Sequence, residues 1–254
     1  MNADRSPSAP EVSVVVPVYN EHASLARILQ RVQASPENQE IIVIDDGSRD
    51  GTQEWLRGLV ALRESGAAWA PVLGDGRLAL ENLRILFQGE NRGKGAALRR
   101  AFREARGEIV IIQDADLEYD PRDYPVLLEP IRRGQADVVY GTRFAPGARP
   151  MRTWGQFLGN RIVTLFSNRL TGLALSDVWV GYKVFRREVL QALPLREDRF
   201  GFEIEVTARV ARGGWRVTEV PISYRARSRA EGKKITWRDA VWGLWCVFRY
   251  NLGR

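Results

Sequence analysis

The sequence predicts an α/β fold with a mostly parallel central sheet and flanking helices, and three observations carry that expectation. Short apolar runs rich in β-branched residues recur at 12–18 (VSVVVPV), 41–44 (IIVI) and 109–112 (IVII), as in strands buried on both faces. Stretches with apolar residues at helical spacing lie between them. Each run ends in a polar cluster: Tyr19-Asn20-Glu21, Asp45-Asp46-Gly47-Ser48 and Asp114-Ala115-Asp116. Ligands of open parallel sheets bind outside the carboxyl ends of the strands, so these clusters point into one site.

In chain order, residues 1–10 read as a loose polar lead-in without the apolar core of a signal peptide. Leu25, Ile28, Leu29 and Val32 make 23–33 a helix and the opening a β-α-β unit. Over 60–90, Pro71, Gly74 and Gly76 suggest a loop, LALENLRILF a short strand or helix, and no function is assigned. Ala97, Leu98, Ala101, Phe102 and Ala105 define a helix over 94–105, stopped at Gly107. A further strand, DVVY at 137–140, leads into Gly141-Thr142-Arg143. Residues 157–173 are amphipathic, with Leu158, Ile162, Leu165, Phe166 and Leu170 set against Asn160, Arg161, Thr164 and Arg169. Helices are expected over 184–193 and 203–212, and Pro221 makes 217–224 an edge strand. The reading gives one domain over 11–225, followed by a basic amphipathic segment, 226–254.

Apolar residues at 44% and charged residues at 27% exclude general disorder. A single cysteine, Cys246, forms no internal disulfide and points to the reducing cytoplasm. The net charge is +7, and residues 225–254 hold eight Arg or Lys against Glu231 and Asp239, so nearly all the excess is C-terminal. Beside Trp237, Trp242 and Trp245 that charge suits an anionic membrane surface better than nucleic acid; a solvated charged face is the plainer reading. Val241, Leu244, Trp245, Phe248 and Leu252 share one helical face, with Arg238 and Arg249 at its margin. The stretch is shorter than the roughly 20 apolar residues of a membrane span, so it lies on a membrane, on its own domain or on a second subunit.

Asp114-x-Asp116 at a strand end offers two carboxylates to one hard cation, with Glu118 as a third ligand, and Mg2+ or Mn2+ bound so keeps places for substrate phosphates. Paired Asp residues also decorate many turns, and it is the position after IVII that favours a site. Asp46, Ser48, Asp50 and Gly51 begin an EF-hand pattern that fails where Arg57 takes the place of the bidentate acid. A carboxylate there suits a nucleoside hydroxyl, while Asp45 equally suits a tight turn. The stretch GENRGKG at 89–95 is one residue short of a Walker loop and lacks its Ser or Thr, which excludes a nucleoside triphosphatase; Lys94 at a helix start still suits a diphosphate. No GxGxxG follows the first strand. His22 is the only histidine, and a His-based nucleophile system has no other source. An acceptor that is already anionic, such as a phosphate, needs cations rather than a base, and Arg143, Arg161 and Arg169 are candidates or else surface arginines.

In Val16-Pro17-Val18-Tyr19-Asn20-Glu21, Asp45-Asp46-Gly47-Ser48, Gly93-Lys94-Gly95, Gln113-Asp114-Ala115-Asp116-Leu117-Glu118, Gly141-Thr142-Arg143-Phe144 and Tyr182-Lys183-Val184-Phe185-Arg186, the chain resembles family 2 glycosyltransferases. It is most similar to their dolichol-phosphate mannose synthase and polyprenyl-phosphate glucosyltransferase branch. The resemblance implies a GT-A fold with a Rossmann-like nucleotide-binding half and inverting transfer of one sugar, of the GDP-mannose or UDP-glucose type, to a polyprenyl phosphate at the cytoplasmic face of a membrane. It implies donor contacts from Pro17, Tyr19, Glu21, Asp46, Lys94 and Asp114, and a Mg2+ or Mn2+ site of Asp114, Asp116 and Glu118. It further implies acceptor-phosphate binding by Arg143 and Arg161, to which the charge argument alone adds Arg169, and a catalytic set of Asp116, Asp177 and Arg143. Two departures are Glu118, where relatives often carry Gln, and the stretch Ser176 to Gly181. The QxxRW motif of processive synthases is absent, which favours one transfer per encounter. A soluble or protein acceptor and a non-catalytic nucleotide-sugar-binding protein are the alternatives.

Overall fold

The computed structural model describes residues 9–72, 76–144, 154–227 and 237–252, the last without the side chains of 237–240. The expected β-α-β opening is present: β1 (Val12–Val18), α1 (His22–Gln33) and β2 (Gln39–Asp45), with β1 and β2 parallel in register Val12 to Gln39. α2 (Thr52–Glu64) follows, then a two-stranded hairpin of β3 (Trp69–Pro71) and β4 (Arg77–Ala79), and β5 (Leu83–Phe87), which pairs parallel to β2. The open choice over LALENLRILF thus resolves to strand.

The next elements are α3 (Lys94–Glu104), β6 (Ile109–Ile112), α4 (Tyr124–Arg132), β7 (Val138–Thr142) and α5 (Trp154–Thr171). They are followed by β8 (Lys183–Arg186), α6 (Arg187–Ala192), α7 (Phe202–Arg212), β9 (Val217–Pro221) and α8 (Trp237–Leu252). The main sheet has the order β5-β2-β1-β6-β8-β7-β9. All neighbouring pairs are parallel except those of β8, which runs antiparallel to both β6 and β7. β9 closes one edge, as Pro221 implied.

One expectation fails at 184–193, which opens as a strand. Lys183, Val184 and Phe185 are fully buried because they fill the slot between β6 and β7, and the helix begins only at Arg187. The helix over 157–173 exists, but its buried side does not follow the apolar spacing. α5 buries Asn160, Val163, Thr164 and Ser167 and leaves Leu158 (59%), Leu165 (66%) and Phe166 (41%) exposed. Asn160 and Thr164 turn inward because Asn160 donates to the buried Asp177 at 2.7 Å and Thr164 accepts from the Val178 N–H, while Arg161 and Arg169 stay exposed.

Behind the sheet, α8 shares a second apolar cluster with α5 and α7, built from Val163, Val178, Ile204, Ala208, Cys246, Val247 and Tyr250. Its outer face, including Val241, Trp242, Trp245, Phe248 and Leu252, is exposed, and Phe248 meets Phe166 at 5.8 Å between ring centroids. One face of this helix therefore packs on its own domain, and the other is open. Among the described residues no helix is long and apolar enough to cross a membrane. The basic residues Arg229, Lys233, Lys234 and Arg254, and the side chains of Trp237 and Arg238, lie outside the described set.

Candidate active site

Parallel pairing of β5, β2, β1 and β6 brings their carboxyl ends to one edge. The loops after β1 and β2 are tied together: the Asn20 N–H donates to Ser48 Oγ (2.9 Å), the Arg49 N–H to Asn20 Oδ1 (2.8 Å) and the Glu21 N–H to Thr52 Oγ1 (3.2 Å). Pro17 falls beyond the last β1–β6 pair, Val15 with Ile112, where a missing N–H costs that ladder nothing. Asp45 serves the turn, accepting from the Gly47 and Ser48 N–H groups and from Gln53. Gly47 has φ +75°, and a Cβ there would stand 2.6 Å from the Glu90 carbonyl carbon, so only glycine lets the two loops meet.

Asp46 holds the neighbouring loop. It accepts from Gln88 Nε2 (2.6 Å), the Arg92 N–H (2.8 Å) and the Gly93 N–H (2.8 Å), fixing the start of α3. Lys94, the first residue of that helix, points back at Asp114: its Nζ lies 2.8 Å from Asp114 Oδ1 and 3.1 Å from Glu203 Oε1. Burial alone would lower the Lys94 pKa, but the Asp114 and Glu203 carboxylates outweigh it and hold the ammonium charged. Asp114 is confined from the other side by Gly181, where any Cβ would collide with its carboxylate and with the Tyr119 ring.

After β6 the backbone is strained, with Leu117 at φ +61° between Asp116 and Glu118. Asp116 Oδ1 accepts from the Glu118 N–H (3.1 Å) and Oδ2 from Arg227 (3.0 Å); Glu118 accepts from Tyr224 Oη (2.9 Å) and the Arg227 N–H (2.8 Å). Arg227 also bonds Glu21 at 3.0 and 3.2 Å. Burial, then the charges of Asp114 and Glu118, push the Asp116 carboxyl up to about 7 against the opposing pull of Arg227.

The residues proposed for the acceptor divide. Arg143, 8% exposed, forms a bidentate pair with fully buried Asp177 (Nε to Oδ2 2.6 Å, Nη2 to Oδ1 2.8 Å) and lies 5.0 Å from the centre of the Tyr224 ring. Glu219 accepts from the Ser176 and Asp177 N–H groups, which sets that loop. Tyr224, its ring tilted against Tyr119 at 5.3 Å between centroids, thus links Arg143 to Glu118. Arg161 is exposed on α5 next to Asn160. Arg169 is eight residues on, about 12 Å along the axis at 1.5 Å per residue, and the structure does not bring it to the Arg143–Asp177 pair.

Among the described residues no three His, Cys, Asp or Glu side chains converge to hold a metal ion. The expected convergence of Asp114, Asp116 and Glu118 is therefore not formed: Asp114 is turned to Lys94 and the other two to Arg227 and Tyr224. The chemistry nevertheless fits a divalent cation. The acids are hard oxygen donors suited to Mg2+ or Mn2+, and a divalent charge at Asp116 would offset the neighbouring carboxylates that help raise its pKa.

Sequence reasoning missed Glu203, Tyr224, Glu219 and Arg227. Glu203 sits in FEIEV, which reads as an ordinary helix face, and Arg227 counted only as part of a basic stretch. Tyr224 had a signal in its place at the end of the edge strand, on the same side of the sheet as the other polar strand ends.

The sheet order and the acidic end of β6 define a GT-A fold. Residues 13–193 match the model of the family described as Glycosyl transferase family 2. The chain belongs to that family and is a glycosyltransferase. It is 31% identical over 236 residues to an undecaprenyl-phosphate mannosyltransferase from Micrococcus luteus, covering 87% of this chain and 86% of that protein. It is 30% identical over 245 residues to a polyprenol monophosphomannose synthase from Mycolicibacterium smegmatis, covering 91% and 86%. Its fold matches a crystal structure of glucosyl-3-phosphoglycerate synthase from Mycobacterium tuberculosis in complex with Mn2+, UDP and glucosyl-3-phosphoglycerate. That match has a TM-score of 0.66 at 21% identity, covering 95% of this chain and 80% of the other.

Proposed function

We propose that the protein transfers one sugar from a nucleotide-sugar donor to the phosphate of a polyprenyl lipid, with inversion at the anomeric carbon, at the cytoplasmic surface of a membrane. One observation carries the acceptor side of this reading: α5 joins a phosphate-binding candidate to an exposed apolar face. Its inner side holds Asp177 and through it Arg143, the exposed Arg161 follows Asn160 in the chain, and its outer side presents Leu158, Leu165 and Phe166, the last against Phe248 of α8. A lipid phosphate combines the two chemistries, an anionic head for the arginines and an apolar chain for the open face. The names of the two relatives support the same class of acceptor.

On the donor side, Pro17, Tyr19, Glu21 and Asp46 border the nucleoside, and Lys94 and Asp114 lie toward the diphosphate. Mg2+ or Mn2+ held by Asp114, Asp116 and Glu118 would neutralise the charge that builds on the departing nucleoside diphosphate. Arg143, fixed by Asp177 and Asn160, orients the acceptor phosphate, whose oxygen bonds to the anomeric carbon as the bond to the diphosphate breaks. The phosphate is anionic at neutral pH and needs no general base, in keeping with a chain whose single histidine, His22, is exposed at the start of α1.

The test follows nucleoside diphosphate release from a panel of nucleotide sugars with Mn2+ or Mg2+, with and without polyprenyl phosphate in anionic vesicles. One donor should turn over faster by at least about tenfold with the lipid, and the protein should sediment with the vesicles. Equal turnover with and without lipid, or stimulation only by a soluble acceptor, would reject the lipid reading.

A further inference from the structure

The stretch that leaves β9 crosses the acidic end of β6 and sets a guanidinium among its carboxylates. Arg227 donates Nη1 to Glu21 Oε2 (3.0 Å), Nη2 to Glu21 Oε1 (3.2 Å) and to Asp116 Oδ2 (3.0 Å), and its backbone N–H to Glu118 Oε1 (2.8 Å). The remaining oxygens of Asp116 and Glu118 take the Glu118 N–H and Tyr224 Oη. Each carboxylate oxygen of these two residues thus already accepts a hydrogen bond. The side chain of Arg227 is only 17% exposed, and those of Glu21 and Asp116 12% and 18%.

Glu21, Asp116 and Glu118 are like charges gathered in a half-closed site, an arrangement that requires positive charge among them. In this structure Arg227 supplies it. A divalent cation on Asp116 would meet the guanidinium at close range. In a half-closed site, where water screens charges less than in bulk, two cations at such range repel. The two cations therefore exclude one another at the same carboxylate.

We propose that Arg227 is the resident counter-ion of the acidic cluster, that a divalent cation displaces it from Asp116, and that the displaced guanidinium becomes a ligand of the donor diphosphate. The proposal rests on the metal-dependent reading above. Its second half follows from reach and shape: the backbone of Arg227 is fixed at Glu118, so the side chain pivots beside the cluster, and its planar fork suits phosphate oxygens. A residue that merely riveted the segment to the site would act differently. Its removal would loosen the carboxylates and weaken metal and donor binding together.

The test titrates Mn2+ into the metal-free full-length protein without donor, following free Mn2+ by electron paramagnetic resonance, and then measures the donor KM. Arg227→Ala should bind Mn2+ about tenfold tighter while its donor KM rises about tenfold. Arg227→Lys, which keeps the charge but not the fork, should bind Mn2+ like the wild type. Near-UV circular dichroism confirms the fold, and Arg227→Gln gives the same reading if the alanine variant is unfolded. Unchanged or weaker Mn2+ binding in a folded variant, against a wild type that does bind it, overturns this proposal alone. A wild type that takes up no Mn2+ overturns the metal reading and the proposal with it.

Discussion

Asp116→Asn should lower turnover by about 10²–10³-fold, the usual cost of removing one group that stabilises charge developing in the transition state. The same substitution should leave the melting temperature of the metal-free protein at pH 8 unchanged or higher. The sign follows from the direction of the shift. Folding raises the Asp116 pKa from 3.8 to about 7, so the stability linked to this group is complete below about 4 and lost as pH rises through 7. An amide removes that loss. Thermal melts at pH 4 to 8, with turnover on the same samples, check both parts. A variant that lost activity by unfolding would show the opposite change in melting temperature.

Asp177→Asn should act in the reverse way, on stability first. Asp177 is fully buried and its carboxylate is bound by Arg143 and Asn160, so the amide leaves a nearly buried guanidinium without its counter-charge. Breaking a buried pair from one side costs about 3–5 kcal/mol, a large part of the roughly 5–15 kcal/mol that holds a typical domain together. Burial opposes ionisation of Asp177, but Arg143 prevails and the pKa is lowered from 3.8. Its contribution is therefore present above that value and lost as pH falls through the lower folded value. Urea unfolding should show a smaller free energy for the variant at pH 7 and a shallower loss toward acid. The residual folded fraction should bind the acceptor poorly, because Arg143 is no longer held in place.

How much of this was readable from the chain depended on whether the determining interactions were local. β1, β2 and β6 declared themselves because a strand buried on both faces needs an unbroken run such as VVV, IIVI or IVII. The polar residues that follow were legible for the same reason. β8 was not, since KVFR is short and its strand character comes from filling an antiparallel slot between β6 and β7, whose residues lie dozens of positions away. α5 misled because the amphipathic rule assumes that apolar residues turn inward. Here Asn160 and Thr164 are required inside, at Asp177 and its neighbour Val178, and Leu158, Leu165 and Phe166 are left facing out. The same limit explains the candidate site. Asp114, Asp116 and Asp46 stand at strand ends and could be named as candidates, whereas Arg227 and Glu203 enter only through partners at Glu21, Asp116 and Lys94, which chain position alone does not reveal.

The most direct measurement is the structure of the product formed from the preferred nucleotide sugar and polyprenyl phosphate, by mass spectrometry and by NMR of the anomeric centre. The account predicts one sugar per lipid, joined through the phosphate, with anomeric configuration opposite to that in the donor. A sugar found on a hydroxyl acceptor, a chain of several sugars, or retained configuration would contradict it.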